Sequence, residues 1–184
     1  MTVTDREQLV RENIGWMLAL AQRLMGERAL AEDAVQDAYM DAFRGLDKFA
    51  GQSSIKTWLR RITINSCLMK LRRMKRLAET PIDEFMPEFD AFNCLVEPRW
   101  NHLASVEDVM QNADLRNTVQ QGIARLPDAY RIVLELRDIE GFDTAEVSEM
   151  LDLTESNVKV RLHRARAALK KILEPLMRGE VEEP

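Results

Sequence analysis

The segment Ser54–Ala78 reads S-I-K-T-W-L-R-R-I-T-I-N-S-C-L-M-K-L-R-R-M-K-R-L-A and contains no aspartate or glutamate, although the chain has a net charge of −5. Eight of its residues are basic: Lys56, Arg60, Arg61, Lys70, Arg72, Arg73, Lys75 and Arg76. Its apolar residues recur close to helical spacing, at Ile55, Leu59, Ile62, Leu68/Met69 and Leu71/Met74. We therefore predict a helix with one packed face and one basic face. Because solubility is usually served by charges of both signs, the complete absence of acid favours a polyanionic ligand such as a phosphate backbone.

The composition favours one or two small helical domains. The chain has 184 residues, of which 46% are hydrophobic, and it contains only 7 glycines and 6 prolines. It is therefore poor in the turn residues that a multi-stranded sheet needs. We expect neither a signal peptide nor a membrane span. Cys67 and Cys94 do not form a disulfide framework, so a cytoplasmic location is expected.

Two amphipathic helices are predicted before the basic segment. The first spans 10–25 and ends at Gly26, a plausible C-cap. The second spans 30–46 and buries a face rich in alanine. Its outer face carries Glu32, Asp33, Gln36, Asp37 and Asp41. Like charges four residues apart cost helix stability. This stripe is therefore either simply solvated, which is the commoner case, or held for a basic partner.

Two segments without regular helical periodicity flank the basic segment. Residues 47–54 form a loop by composition. Residues 79–114 contain nine acidic residues and a single arginine, with three prolines and several aromatic residues. This linker is too apolar for a purely solvated tether, so it docks on a partner or packs on its own domains. A short helix is expected near 106–110.

The pattern of the C-terminal part predicts a helix-turn-helix. Val119, Ile123 and Leu126 mark one helix, Pro127 opens the next, and Gly141 ends it. Residues 143–146 resemble a capping box for a short helix through Leu151, with Ala145, Val147 and Leu151 facing inward. A turn at 152–154 then leads to a longer helix through Leu173. We expect its outer face to carry Lys159, Arg161, His163, Arg164 and Arg166, and the tail beyond Pro175 to be frayed.

Three motifs, taken together, closely resemble bacterial RNA polymerase sigma factors of the extracytoplasmic-function type. They are A-E-D-A-V-Q-D-A-Y (31–39), K-T-W-L-R-R-I-T-I-N (56–65) and G-F-D-T-A-E-V-S-E-M-L-D-L-T-E-S-N-V-K-V-R-L-H-R-A-R (141–166). The resemblance covers residues 10–78 and 115–173. It implies an all-α fold with a region 2-like domain at 1–78, an acidic linker at 79–114 and a region 4-like helix-turn-helix domain at 115–184.

The resemblance also implies three binding surfaces. The surface for the β′ subunit of core RNA polymerase would comprise Glu32, Asp33, Gln36 and Asp37. The surface that captures a flipped base and opens the −10 promoter element would comprise Gly51, Gln52, Ser53, Ser54, Lys56, Trp58, Arg60, Arg61 and Asn65. The surface that reads the −35 element in the major groove would comprise Ser156, Asn157, Lys159, Val160, Arg161, His163 and Arg164. Trp58 also has the spacing of a core residue, beside Ile55 and Ile62.

The family further implies partners and a role for the linker. The partners would be core polymerase (β′ and β subunits), promoter DNA and an anti-sigma factor that holds the chain inactive, with no membrane insertion. The acidic linker would thread into polymerase where RNA later passes. In the competing interpretation it folds over the basic faces of its own chain.

Three residues depart from the family pattern in the helix-turn-helix. Asp152 replaces a frequent glycine, and aspartate tolerates left-handed backbone geometry. Glu155 suits the helix dipole but repels phosphate. Val160 replaces a small polar residue. We expect these changes to alter the promoter sequence that is read, and not the class of protein.

Two other functions compete with this interpretation. A helix-turn-helix regulator acting without core polymerase would leave the basic segment and the 31–39 motif unexplained. For an enzyme, no pair among His102, His163, Cys67 and Cys94 has the spacing of metal ligands. The sequence also shows no nucleophile–base arrangement and no glycine-rich phosphate loop. We therefore expect no catalytic residues, no metal and no cofactor.

Overall fold

A computed structural model describes residues 3–49, 51, 53–74, 82 and 113–178, and all regular structure within these ranges is helical. The elements are α1 (Val3–Met25), α2 (Arg28–Gly45), a 3₁₀ turn (Leu46–Lys48), α3 (Ile55–Arg73), α4 (Ala113–Ala124), α5 (Asp128–Leu134), a π-helical turn (Glu135–Ile139), α6 (Thr144–Leu151) and α7 (Glu155–Arg178). The chain divides into two compact units, one holding α1–α3 and the other holding α4, α5 and α7. The predicted all-α class with two helical domains is confirmed.

The N-terminal unit is a three-helix arrangement in which each helix packs against the other two. α2 contributes small residues to the core, with Ala31, Ala34, Ala38 and Ala42 all buried, and small side chains allow neighbouring helices to approach closely. The Tyr39 hydroxyl donates to the Val10 carbonyl oxygen (3.2 Å), which ties α2 to α1. The predicted inward alanine face of α2 is therefore confirmed.

The ends of α1 and α2 follow from local chemistry. Gly26 has a φ of 74°, and its N–H donates to the Gln22 carbonyl oxygen (2.9 Å). Glycine adopts this left-handed conformation without a steric penalty from a Cβ. The predicted C-cap is confirmed, and α1 begins seven residues earlier than the sequence pattern indicated, at Val3 rather than Val10.

The buried face of α3 differs from the predicted one. Met69 and Met74 were expected to face inward, but they are 49% and 45% exposed. The smaller residues Thr63, Ser66 and Cys67 are buried instead. The Thr63 hydroxyl donates to the Leu59 carbonyl oxygen (2.8 Å), so Thr63 carries no unsatisfied polar group inward. The sequence prediction considered only the large apolar residues of α3. The inward face that it assigned is therefore rotated about the helix axis relative to the observed one.

The C-terminal unit is organised around α7, which packs against α4 and α5. Its core contains Ile123, Leu126, Ala129, Tyr130, Leu134, Ala165, Ala168 and Ile172. Gly122 allows α4 to approach α7, since a Cβ there would lie 2.7 Å from Leu173 Cδ2. The predicted packing of Ile123 and Leu126 is confirmed.

One residue of the acidic linker, Ile82, belongs to the same core and is only 1% exposed. At this position the linker packs on its own chain, which was one of the two interpretations left open. The rest of 79–112, including the helix expected near 106–110, lies outside the described residues.

Two predicted details of this unit are wrong. Ala145 is exposed rather than inward. α7 does not end before Pro175 but continues to Arg178, with the proline inside the helix. A proline inside a helix removes one backbone hydrogen bond and crowds the carbonyl four residues earlier, so it weakens the helix, and α7 ends three residues after it.

Candidate functional site

The first candidate surface is the acidic face of α2, formed by Glu32, Asp33, Gln36 and Asp37, all of which are exposed. Glu32 is paired with Arg28 through Oε1 and Nε at 2.8 Å. This hydrogen bond raises the pKa of the Arg28 guanidinium. Asp33 makes no ion pair within the described part of the chain. The four residues share one face because they follow each other at three- and four-residue spacing on a helix.

The Asp37 carboxylate on this face forms an ion pair with a lysine of α3. Its Oδ2 lies 2.8 Å from Lys70 Nζ of α3, and the Lys70 side chain is only 20% exposed. One carboxylate of the expected docking surface is thus already paired within the chain. Sequence reasoning missed Lys70 as a partner, because periodicity does not show which helices become neighbours.

The loop before α3 contains the N-cap of that helix. Ser54 Oγ accepts a hydrogen bond from the Thr57 N–H (3.0 Å) and lies 2.8 Å from Thr57 Oγ1. Gly51 adopts a φ of 70°. Ser53 is exposed, whereas Gln52 lies outside the described residues. The Ser54 hydroxyl therefore has a structural role at the start of α3.

Trp58 lies in a packed position at the start of α3. Its ring contacts Phe49, with ring centroids 5.0 Å apart, and a Cβ at Gly45 would come within 3.3 Å of it. This arrangement agrees with the packing role that its spacing indicated.

The basic surface of α3 includes Lys56, Arg61 and Asn65, which are exposed, and Arg60, which is half-buried. Lys56 Nζ lies 5.8 Å from the centre of the Trp16 ring, a cation–π distance that links α3 to α1. Lys75 and Arg76, at the end of the basic segment, lie outside the described residues.

Side-chain hydrogen bonds fix both the start of α6 and the turn that follows it. Asp143 and Glu146 form a reciprocal capping box: Asp143 Oδ1 accepts from the Glu146 N–H (2.8 Å), and Glu146 Oε2 accepts from the Asp143 N–H (3.0 Å). Ser148 donates to the Leu153 carbonyl oxygen (2.8 Å), and Thr154 Oγ1 accepts from the Asn157 N–H (3.2 Å). The predicted order of short helix, turn and longer helix is confirmed, and so are both caps.

The outer face of α7 contains six of the seven residues expected to read DNA. Those exposed are Ser156, Asn157, Lys159, Val160, His163 and Arg164. Arg161, however, is only 8% exposed, so the expectation that it faces outward is wrong. It follows Val158 by three residues and precedes Ala165 by four, which places it on the side of α7 that faces the core.

Arg166 is also committed to a contact within the chain. Its Nε and Nη2 donate to Asp138 Oδ2 and Oδ1 at 2.8 and 2.7 Å. This bidentate pair raises the pKa of Arg166 and joins α7 to the π-helical turn. The wider backbone turn, closed by the Glu140 N–H to the Glu135 carbonyl oxygen (2.8 Å), was not foreseen from the sequence.

Two further findings concern the described residues. They contain no cluster of three His, Cys, Asp or Glu side chains able to hold a metal ion. Within the same ranges, no helix has the length and apolar character needed to cross a bilayer. His102 and Cys94, which were weighed as metal ligands, lie outside these ranges.

Comparison with known proteins relates the chain to one family. Two family models match, one described as Sigma-70 region 2 over residues 9–77 and one as Sigma-70, region 4 over residues 116–169. The ECF RNA polymerase sigma factor SigM of Mycobacterium tuberculosis is 32% identical over 173 residues, covering 94% of this chain and 79% of SigM. The ECF RNA polymerase sigma factor SigW of Bacillus subtilis is 32% identical over 157 residues, covering 85% of this chain and 82% of SigW.

The fold is also shared with a solved structure, that of the sigma factor RpoE from Bartonella quintana in complex with the anti-sigma factor NepR. The TM-score is 0.57 at 24% identity, and the match covers 94% of this chain and 98% of RpoE. The match to region 2 spans α1–α3, and the match to region 4 begins within α4 and ends within α7.

Proposed function

This chain belongs to the ECF RNA polymerase sigma factors, and from that membership we propose how its surfaces divide the work of transcription initiation. The acidic face of α2 binds core RNA polymerase. The loop at 51–54 and the basic face of α3 capture and open the −10 element, and the outer face of α7 reads the −35 element in the major groove. The domains are 1–78 and 115–184, joined by the linker 79–114.

The observation that carries this proposal is the exposure of the residues that the family motifs assign to binding. On α7, Lys159, His163 and Arg164 remain in solvent although the helix buries its other side in a core. A recognition helix must combine these two sides, because one face fixes its position in the domain while the other contacts base edges and phosphates.

The acidic face of α2 supports the polymerase contact for a similar reason. Carboxylates stacked on one helix face repel each other, which costs helix stability unless a basic partner covers them. Asp33 is the most informative of the four residues, because it has no ion pair within the described ranges.

The remaining parts of the proposal follow from family membership. An anti-sigma factor holds the chain inactive until a stress signal releases it. The protein acts in the cytoplasm and contributes binding energy to initiation rather than chemistry of its own.

The test compares DNA binding and transcription with and without core polymerase. We expect footprints over the −35 and −10 elements only when core is present. Sequence-specific footprints from the isolated chain, unaffected by core, would instead identify a helix-turn-helix regulator and overturn the proposal.

A second arm tests the docking face with the double variant Asp33→Lys/Asp37→Asn. Asparagine at 37 avoids placing a second positive charge beside Lys70. The charge-matched control is Glu7→Lys/Glu12→Gln on α1, where both residues are exposed. We expect the α2 variant to lose core binding while its helix content stays unchanged, and the α1 control to bind normally. Equal binding by both variants would remove the acidic face from the polymerase contact.

A further inference from the structure

Val160 occupies the middle of the outer face of α7. The residues Val158, Leu162 and Ala165 define the buried side of this helix. With 3.6 residues per turn, Val160 points within about 40° of the opposite direction. Ser156 lies one turn before it and His163 one turn after it, while Lys159 and Arg164 lie to either side.

Val160 is the only apolar residue among the six exposed residues that are expected to read DNA, and it is 45% exposed. Packing within the unit does not explain why an apolar residue occupies this position, because nearly half of the side chain is accessible to solvent. Helix propensity does not account for it either, because a β-branched side chain loses χ1 freedom on a helix and is a poorer helix former than alanine. Single apolar residues are common on protein surfaces, but Val160 lies at the centre of the face that is proposed to meet DNA, where its side chain would be placed against a base pair.

The chemistry of the major groove indicates what that contact is. Valine has no donor or acceptor, so it cannot pair with the polar groups of a base edge. The thymine C5-methyl is the apolar group that a base pair presents there. Burying a cytosine amino group or a guanine oxygen against valine would leave that polar group without a partner.

Building on the proposed −35 function of α7, we infer that Val160 contacts the C5-methyl of one thymine in the −35 element and selects for thymine at that position. Lys159 and Arg164, at the edges of the face, are placed to contact phosphates or guanine and hold the helix in register. The stiff χ1 of valine presents its two methyl groups in a fixed orientation, which sharpens the choice.

The test begins with a promoter library randomised across the −35 element and selected with holoenzyme reconstituted from the full chain and core polymerase. Each thymine of the selected element is then replaced singly by deoxyuridine, which removes only the methyl group. We expect one position to lose affinity about fourfold, the value of one buried methyl group.

Three variants assign that methyl effect to a residue. Val160→Ala should reduce the thymine–deoxyuridine difference at that position to less than about twofold, because the two γ-methyl groups that reach the thymine are removed. Val160→Ile keeps an apolar β-branched side chain and should retain the difference. Ile139→Ala, which truncates another exposed apolar residue (41% exposed) that lies on the π-helical turn rather than on α7, should also retain it.

The outcomes separate the inference from the function on which it rests. Selection of a specific −35 element without any deoxyuridine effect, or an effect that survives in Val160→Ala, would overturn the role of Val160 alone. A library from which holoenzyme selects no −35 preference would overturn −35 reading by α7, and the inference with it.

Discussion

Asp152 illustrates, at the scale of a single residue, how the turn between α6 and α7 is made. Its φ of 56° lies in the left-handed region, which most residues with a Cβ avoid, although aspartate tolerates it better than most. Replacing it by glycine should raise the free energy of unfolding by about 1 kcal/mol, since glycine adopts this conformation without steric conflict. Urea unfolding followed by circular dichroism measures the change.

Glu149→Gly is the matched control for this prediction. Glu149 is exposed and lies inside α6, so glycine there should lower stability by about 1 kcal/mol through its poor helix propensity. The same new residue thus has opposite effects at two neighbouring positions. If both variants lose stability, the left-handed turn is not strained and the prediction is wrong.

Cys67 makes a prediction about pH. The thiol is buried, and desolvation raises its pKa to about 12, while Lys70 acts in the lowering direction. In the unfolded chain a thiol ionises near pH 8.5, so above this pH the unfolded state loses a proton that the native state keeps. The free energy of unfolding should therefore decline as the pH rises from about 8.5 toward 12.

The comparison uses Cys94→Ser and Cys67→Ala/Cys94→Ser, so that only Cys67 differs. Between pH 8.5 and 10 the variant that keeps Cys67 should lose about 1.6 kcal/mol more stability than the other. Every other side chain is common to the two variants, so the difference between their pH profiles reports on position 67. Parallel pH profiles for the two variants would show that Cys67 is not protected from ionisation in the native state.

At the scale of elements, α2 and α3 share the ion pair between Asp37 and Lys70. Asp37 is 54% exposed, and surface ion pairs contribute about 0–1 kcal/mol, so this pair matters less for stability than for the charge that the acidic face presents. A polymerase surface that binds this face must share Asp37 with Lys70 and approach the positive charge of Lys70 as well.

Lys70→Gln should therefore increase the affinity for core polymerase and make this affinity more sensitive to salt. The change frees the Asp37 carboxylate for the partner and removes a positive charge that would repel a basic surface. The control is Arg73→Gln, which removes the same charge from the same helix without disturbing an ion pair within the described ranges. Titration of labelled variants with core at several salt concentrations provides the measurement. A loss of affinity in Lys70→Gln would indicate instead that Lys70 orients Asp37 for binding.

At the scale of the whole molecule, opposite charges occupy different segments of one chain. The basic segment 54–78 has no acid, and the linker that follows has nine acidic residues against one arginine. Such segregation permits two mechanisms, in which the linker screens the basic faces of its own chain or acts inside polymerase. A test of these two mechanisms must keep Ile82, because its side chain is part of the core of the C-terminal unit.

Replacing residues 83–107 by a neutral flexible linker of equal length should leave the DNA affinity of the isolated chain nearly unchanged and reduce initiation once core is added. A second version, which changes only the acidic residues of this range to their amides, separates charge from sequence. Filter binding across a salt series and abortive transcription give the two measurements. A large gain in core-free DNA affinity with a steeper salt dependence would show that the linker masks its own chain, because additional phosphate contacts release additional counterions.

The sequence by itself determined the helical class and the ends of several helices. Gly26, the Asp143–Glu146 capping box and the Thr154 cap are interactions among residues within four positions of each other, so their geometry follows from the local sequence. The buried alanines of α2 were predicted for the same reason, since a regular helical period places them on one face.

Only the tertiary structure decided which charged residues are committed within the chain. Arg166 meets Asp138 across 28 positions, Lys70 meets Asp37 on another helix, and Arg161 turns toward the core rather than the outer face. The inward face of α3 was decided in the same way, because Thr63, Ser66 and Cys67 are buried there while Met69 is half exposed. A helical period gives the relative positions of residues around one axis, but the rotation of that helix against its neighbours depends on the packing of all of them.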